Sequence, residues 1–303
     1  MRASPTALRL ARDDDIVRQP GIVTPEMQVL HDEVAKLNAE LSLLRRKSDM
    51  LNFHMSRLDE ELRLAARLQQ DFLPKSLPQI GRVRFHTLFR PAGYVSGDFY
   101  DVMRLDEKHI GFYIADAVGH GVPAALLTMF IKHALMTKQI IAGKGYRLLS
   151  ASETITRLNE TLIEQDLSAA TFATAVYCTL NIDTLKLTVC RAGHPHPVLL
   201  RASGAIESLE PEGGLLGVFA EQRFQETSVN LASGDRLVMF TDGIEVCFSD
   251  DVTADKERWR DELSSRRHLP AKKLLEEFAQ LIDMENGSIS PKDDLTMVVV
   301  EID

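Results

Sequence analysis

Residues 110–121 read IGFYIADAVGHG. The run from Ile110 to Ala115 is apolar and aromatic, of strand length, and it leads directly into Asp116 and a turn marked by Gly119 and Gly121. β-Branched and aromatic residues favour an extended, packed chain, while glycine supplies the backbone conformations of a tight turn. The stretch therefore reads as a strand that delivers a carboxylate at its end. Three further places repeat the arrangement: Ser96-Gly97-Asp98-Phe99-Tyr100-Asp101, Phe240-Thr241-Asp242-Gly243 and Pro291-Lys292-Asp293-Asp294-Leu295-Thr296. Each alone is an ordinary turn aspartate. Together they place carboxylates at several strand ends, the rigid mounts that hard divalent cations such as magnesium and manganese require.

Outward from these points, strand-like texture recurs at 83–90, 99–105, 110–115, 171–180, 185–191, 198–201, 224–230, 236–240 and 295–302. Short turns between neighbours, as at Asn181 to Thr184, point to antiparallel hairpins. Helical patterns lie at 122–141, 152–164, 255–267 and 270–284. Strands and helices in this order predict a layered α+β domain, not a regular βαβ alternation.

Upstream of Pro74 and Pro78 the pattern changes. From Met27 to Phe72 core positions recur at 3-4 spacing through Leu30, Val34, Leu37, Leu41, Leu44, Ser48, Leu51, Met55, Leu58, Leu62, Ala65 and Gln69. An apolar repeat held that long keeps one seam facing a partner helix, so a coiled coil is expected. Polar Ser48 and Gln69 in the seam would loosen packing locally and fix register, and Glu40 with Arg45 has the spacing of a parallel dimer. The expected organisation is a flexible tail at 1–24, a coiled-coil dimerisation and signalling helix at 25–73, and a domain at 74–303.

The 303 residues carry a formal charge of -9 and a pI near 5.5, which argues against a nucleic-acid partner and against a metal-dependent nuclease. Cys178, Cys190 and Cys247 form no C-x-x-C spacing and read as reduced thiols. The N-terminal arginines meet aspartates before any signal-length apolar run, and no segment is apolar enough to span a bilayer. A cytoplasmic protein without membrane contact is expected.

The motifs ELRLAARLQQDFLPKSLP, GDFYD, DAVGHGVPAALL, RAGHPHPVLLR, GLLGV, FTDGIE and PKDDLTMVVVE, in this order from about Glu61 to Asp303, resemble the SpoIIE/RsbU-type branch of the metal-dependent protein phosphatases, relatives of protein phosphatase 2C. The resemblance implies two antiparallel sheets packed face to face and flanked by helices, with two divalent ions, Mn2+ or Mg2+, at one edge. It assigns Asp98, Asp116 and the Ala117 carbonyl to the first ion, and Asp116, Asp242 and Asp293 to the second. Asp116 bridges, and Asp294 is the alternative to Asp293. Water shared between two such ions is a nucleophile at neutral pH, and the ions offset phosphoryl charge. The implied substrate is a phosphoserine or phosphothreonine on a regulatory protein, an anti-sigma-factor antagonist of STAS type. Homodimerisation through the coil and an activating protein at the N-terminal region complete the expected partners.

Some residues depart from the family pattern. Ser96 replaces a usual glycine, Ile244-Glu245-Val246 shortens a familiar stretch, and Gly93 stands where eukaryotic relatives clamp phosphate with arginine, leaving phosphate binding to the metals. His120 reads as a turn residue beside two glycines, and His194 and His196 as parts of a proline-interleaved loop, since alternate residues of an extended chain face opposite ways. Met129, Phe130, Ile131, Leu135 and Met136 read as a core-packing helix face. The competing class is a catalytically inactive dimeric scaffold of the same fold; loss of an acidic ligand would indicate it, and Asp98, Asp116, Asp242 and Asp293 are all present.

Overall fold

The protein's structure, a computed structural model, describes residues 24–143, 145–167, 171–248, 258–286 and 291–303. It divides into two compact units, residues 1–59 and 60–303. In the first, the Thr24 hydroxyl accepts from the Met27 amide and Pro25 opens the helix, a favourable start because proline has no amide to leave unpaired. This helix, α1, runs unbroken over Pro25–Phe72. Leu30, Val34, Leu37, Leu41, Leu44, Leu51, Met55 and Leu58, all expected seam positions, are exposed in the single chain. The tail expected at 1–24 lies, apart from Thr24, outside the described residues.

The second unit is a sandwich of two five-stranded antiparallel sheets. One sheet has the order β1 (Val83–Arg90), β12 (Leu295–Ile302), β11 (Arg236–Phe240), β8 (Val198–Leu200), β9 (Ile206–Ser208). The other has the order β10 (Glu226–Asn230), β7 (Lys186–Ala192), β6 (Ala173–Asn181), β3 (His109–Ala117), β2 (Asp98–Arg104). Helices α2 (Val122–Ala134) and α3 (Ala151–Glu164) cover the second sheet; α4 (Gly243–Phe248) and α6 (Ala271–Asn286) pack on the first, with α5 (Arg258–Ser265) against them. The expected layered α+β sandwich is therefore what the chain forms.

Alternation along the strands explains the two cores. In β12, Val298, Val300 and Ile302 point between the sheets, while Leu295, Met297 and Val299 meet Trp259, Phe278 and the other helix residues outside. Neighbouring β11 divides the same way, Leu237 and Met239 inward, Val238 and Phe240 outward. Side chains on successive strand residues face opposite ways, so a strand covered on both faces must be apolar throughout. Between the sheets Phe85 of β1 meets Phe112 of β3 edge to face at 5.3 Å.

Helix 122–141 was expected to be longer than it is. It ends at Ala134, where Leu135 turns extended (φ -69°, ψ 98°), and the rest forms β4 (Lys138–Ile141), paired with β5 (Gly145–Leu148). Ile140 and Ile141 favour the strand, and Gly143 at φ 70° and Gly145 at φ 87° make the turn. Within the expected apolar face Ile131 is buried, Met129, Phe130 and Leu135 are half-buried, and Met136, past the helix end, is exposed. The short elements β5, β9 and α4 were not anticipated. The three cysteines are buried and none is in a disulfide. No described helix is long and apolar enough to cross a membrane.

Phe112→Ala is expected to cost about 3–5 kcal/mol, the usual range for truncating a fully buried phenylalanine. Urea unfolding measures it; a loss below about 1 kcal/mol would contradict the inter-sheet packing described above.

Candidate active site

Asp98 opens β2 and Asp116 lies near the end of β3, and the register of these antiparallel strands sets them directly opposite one another. Like charges in that relation repel and destabilise the pair. The other sheet brings Asp242, just past the end of β11, and Asp293, just before β12, to the same edge. Asp116 feels the charge of Asp242, Asp293 and Asp294, and Asp98 that of Asp116. The sandwich thus gathers at one edge all four aspartates singled out in the sequence.

Their environments differ. Asp98 is buried, Asp116 partly so, and Asp242 and Asp293 are exposed at the mouth. Burial, then the neighbouring carboxylates, pushes Asp116 up to about 7. Burial and the Asp116 charge likewise raise Asp98 well above the usual carboxylate range, although the hydroxyls of Thr296 and Thr241 pull the other way. Burial and Asp293 raise Asp242. Acidic groups that raise one another in this manner suit oxygen-seeking divalent cations. Among the described residues no three such side chains already converge in ion-binding geometry, so a cation would have to draw them together.

The Ala117 carbonyl is presented by a close approach. Ala117 donates its amide to Gly97 O at 2.9 Å, and a Cβ on Gly97 would lie 3.0 Å from Ala117 O and 3.3 Å from the Ala124 Cβ. Only glycine leaves that space open. Asp294 is occupied elsewhere: its two carboxylate oxygens accept from the amides of Ala92 (2.7 Å) and Gly97 (2.6 Å), tying the loop before Asp98 to the start of β12. Asp293 instead accepts from the Asp294 amide at 2.8 Å and keeps its side chain at the surface.

The same loop is gripped from α1. The Gln69 amide group donates to Ser96 O (2.6 Å) and accepts from Ser96 N (2.9 Å), and Ser96 Oγ accepts from the Asp98 amide (3.0 Å). Gln69, expected as a seam residue, is the buried residue of α1, used here as a strand-like partner. Ser96, which departs from the family pattern, caps the loop with its side chain.

A cavity of about 320 Å³ opens beside the acidic edge, lined among others by Asp116, Thr174, His194, His196, Asp242 and Arg260. His194 is fully buried; its Nδ1 lies 2.7 Å from Thr174 Oγ1, its carbonyl accepts from Arg191, and burial holds the ring neutral, down to about 3. These contacts tie the ring into its loop. His120 is exposed on its turn. Arg260, which the sequence did not single out, also lines this cavity.

Residues 106–303 match the family model described as Stage II sporulation protein E (SpoIIE). The chain belongs to the SpoIIE family. The match takes in Asp116, Asp242 and Asp293 and begins after Asp98. The chain is 30% identical over 191 residues to Phosphoserine phosphatase RsbU of Bacillus subtilis, a stretch covering 63% of this chain and 55% of RsbU. It spans about half the length of the curated relatives it matches first. In fold it is similar to the SiaA-PP2C domain of Pseudomonas aeruginosa (TM-score 0.68, 22% identity, 82% of this chain and 98% of that one). It is also similar to RsbX in complex with magnesium (TM-score 0.53, 20% identity, 75% and 99%).

Within this SpoIIE-family site the sequence did not single out Thr241, Thr296, Gln69 or Arg260 as contributors. Thr241 and Thr296 carried a weak signal, lying within the acidic motifs one or two residues from an aspartate; Arg260 carried none, because only the packing of α5 brings it to the cavity.

The raised carboxyls fix the sign of a pH effect. Folded, Asp116 holds its proton to about pH 7, and unfolded only to about 3.8. Between those values the unfolded chain has fewer protons, so metal-free stability falls as pH rises from about 4 to 7. Asp98 and Asp242 act in the same direction. Melting temperature in chelator, followed across that window, should decline, and Mn(II) at pH 7.5 should restore it. A flat or rising metal-free profile would contradict the crowding.

Proposed function

We propose that the chain is a divalent-cation-dependent serine/threonine protein phosphatase of the cytoplasm. The observation that carries this reading is the convergence of Asp98, Asp116, Asp242 and Asp293 from four strand ends at one edge between the sheets. Asp98, Asp116 and the Ala117 carbonyl would hold one Mn2+ or Mg2+ ion, and Asp116, Asp242 and Asp293 a second. Asp294 is set aside as a ligand because both its oxygens already accept backbone amides. Bound there, the ions supply an activated water nucleophile and offset the charge on the phosphoryl oxygens. Asp98 forms a buried floor that orders the site, Asp242 and Asp293 leave the mouth open to a protein-borne phosphate, and Arg260 adds a cation to the adjoining cavity.

The substrate we assign is a phosphoserine or phosphothreonine on a small regulatory protein, an anti-sigma-factor antagonist of STAS type. The likeness to RsbU, a phosphoserine phosphatase, supports the class of bond. We assign residues 25–73 to a dimerising coiled coil, 74–303 to the phosphatase domain, and 1–24 to a tail that an activating protein could engage. The exposed seam of α1 supports dimerisation, and the Gln69–Ser96–Asp98 series supports passage of a signal from the helix into the site. A partner acting there would shift the balance of competent and incompetent sites by its differential affinity.

Asp116→Asn is expected to lower manganese-dependent hydrolysis of p-nitrophenyl phosphate about a thousandfold with the fold retained, since several kcal/mol of charge stabilisation are lost. Near-normal turnover in a folded variant would sink the two-ion assignment. A wild-type protein that binds its phosphoprotein without hydrolysing it would return the scaffold reading. Deleting residues 1–58 is expected to yield a monomer with altered metal affinity or turnover, followed by light scattering and Mn(II) titration. A truncated protein that stays dimeric would remove the coil from assembly, and a monomer with unchanged affinity and turnover would remove it from control.

A further inference from the structure

Asp98 is the most deeply buried of the site carboxylates, yet its hydrogen-bonding is lopsided. Oδ2 accepts the hydroxyl of Thr241 at 2.7 Å and that of Thr296 at 2.6 Å. Among the described residues Oδ1 accepts no hydrogen bond. Asp98 belongs to the sheet of β2 and β3, and both threonines to the facing sheet, so these are contacts across the sandwich. The threonines also hold each other: the Thr241 amide donates to Thr296 O at 3.0 Å, and the Thr296 amide donates to Thr241 Oγ1 at 3.0 Å.

That last bond settles the direction of the Thr241 hydroxyl. With one lone pair of Oγ1 taken by an amide, its single proton has two acceptors within reach, Asp98 Oδ2 at 2.7 Å and Thr296 O at 3.5 Å. A short bond to a carboxylate is the stronger, so the proton goes to Asp98. One oxygen of Asp98 thus accepts from two directed donors that oppose rotation of the carboxylate, and Oδ1 is the oxygen left for another partner.

We propose that Thr241 and Thr296 are positioning residues that turn Asp98 into a one-oxygen ligand of fixed direction, so that cation capture depends on the two sheets being docked. The inference rests on the two-ion reading above and deepens it. A carboxylate free to rotate could lean toward either neighbour or chelate with both oxygens; the clamped one offers a single oxygen to the ion it shares an edge with. Threonine suits the role because its branched carbon restricts the hydroxyl to few rotamers.

The test is Mn(II) affinity, read from the electron paramagnetic resonance of free Mn(II), beside the melting temperature of the metal-free protein. Thr241→Val and Thr296→Val keep shape and remove the donors, and each is expected to weaken Mn(II) binding about ten- to a hundredfold, the range for losing a hydrogen bond to a charged group. Thr241→Ser and Thr296→Ser keep the hydroxyl and should stay within about threefold of wild type on the same grounds. Valine variants that melt lower but bind Mn(II) as wild type does would show a merely structural contact and overturn the proposal, as would serine variants as weak as the valine ones. If a valine variant does not fold, adding Asp98→Asn removes the stranded charge and should restore folding; failure to restore it would also overturn the clamp. A wild-type protein that binds no Mn(II) would instead bring down the two-ion reading itself.

Discussion

Asp98 and Asp116 face each other across neighbouring strands at the edge of a sandwich, and most of the local structure answers that repulsion. Unit charges about 5 Å apart at an effective dielectric near 20 repel by on the order of 3 kcal/mol. Few sequences would tolerate this without a reason. Asp116 relieves it by keeping a proton to about pH 7, and Asp98 by hydroxyl donors reaching over from the opposite sheet. A cation held between them would remove the repulsion outright.

The loop leading into Asp98 is held from several sides. Asp294 takes the amides of Ala92 and Gly97, Gln69 takes both backbone groups of Ser96, and Ala117 closes on Gly97 O. A loop satisfied at so many backbone groups has little freedom to move by itself. It can move when one of its holders moves, and the holders come from β12, from β3 and from α1. The loop before Asp98 is therefore tied by hydrogen bonds to both sheets and to the helix that enters the domain.

Much of the fold was legible because hydrophobic periodicity survives in the chain. The runs that became β3, β11 and β12 are apolar on both faces, and each lies between layers that need both faces covered. The sequence reading carried the helix at Val122 through to Ile141 because an apolar run does not announce where a helix ends. The structure ends it at Ala134, where the β-branched pair Ile140 and Ile141 and the glycines of the turn win. Gln69 was misplaced for a related reason: a heptad marks the face of a helix without saying which neighbour the face meets.

The sequence by itself determined the class of fold and the acidic points, because strand texture and the Asp-turn motifs are local properties written in consecutive residues. That Asp294 is occupied was beyond it, since its oxygens accept from the amides of Ala92 and Gly97, some 200 positions away in the chain. The threonine clamp and the place of Arg260 were equally hidden. Both depend on which residues of one sheet or helix meet those of another, and that meeting is set by the register of β2 with β3, of β11 with β12, and by the distance at which the two sheets pack. Local chemistry names the candidates for a site; the packing of distant segments decides which oxygen of which carboxylate is left facing it.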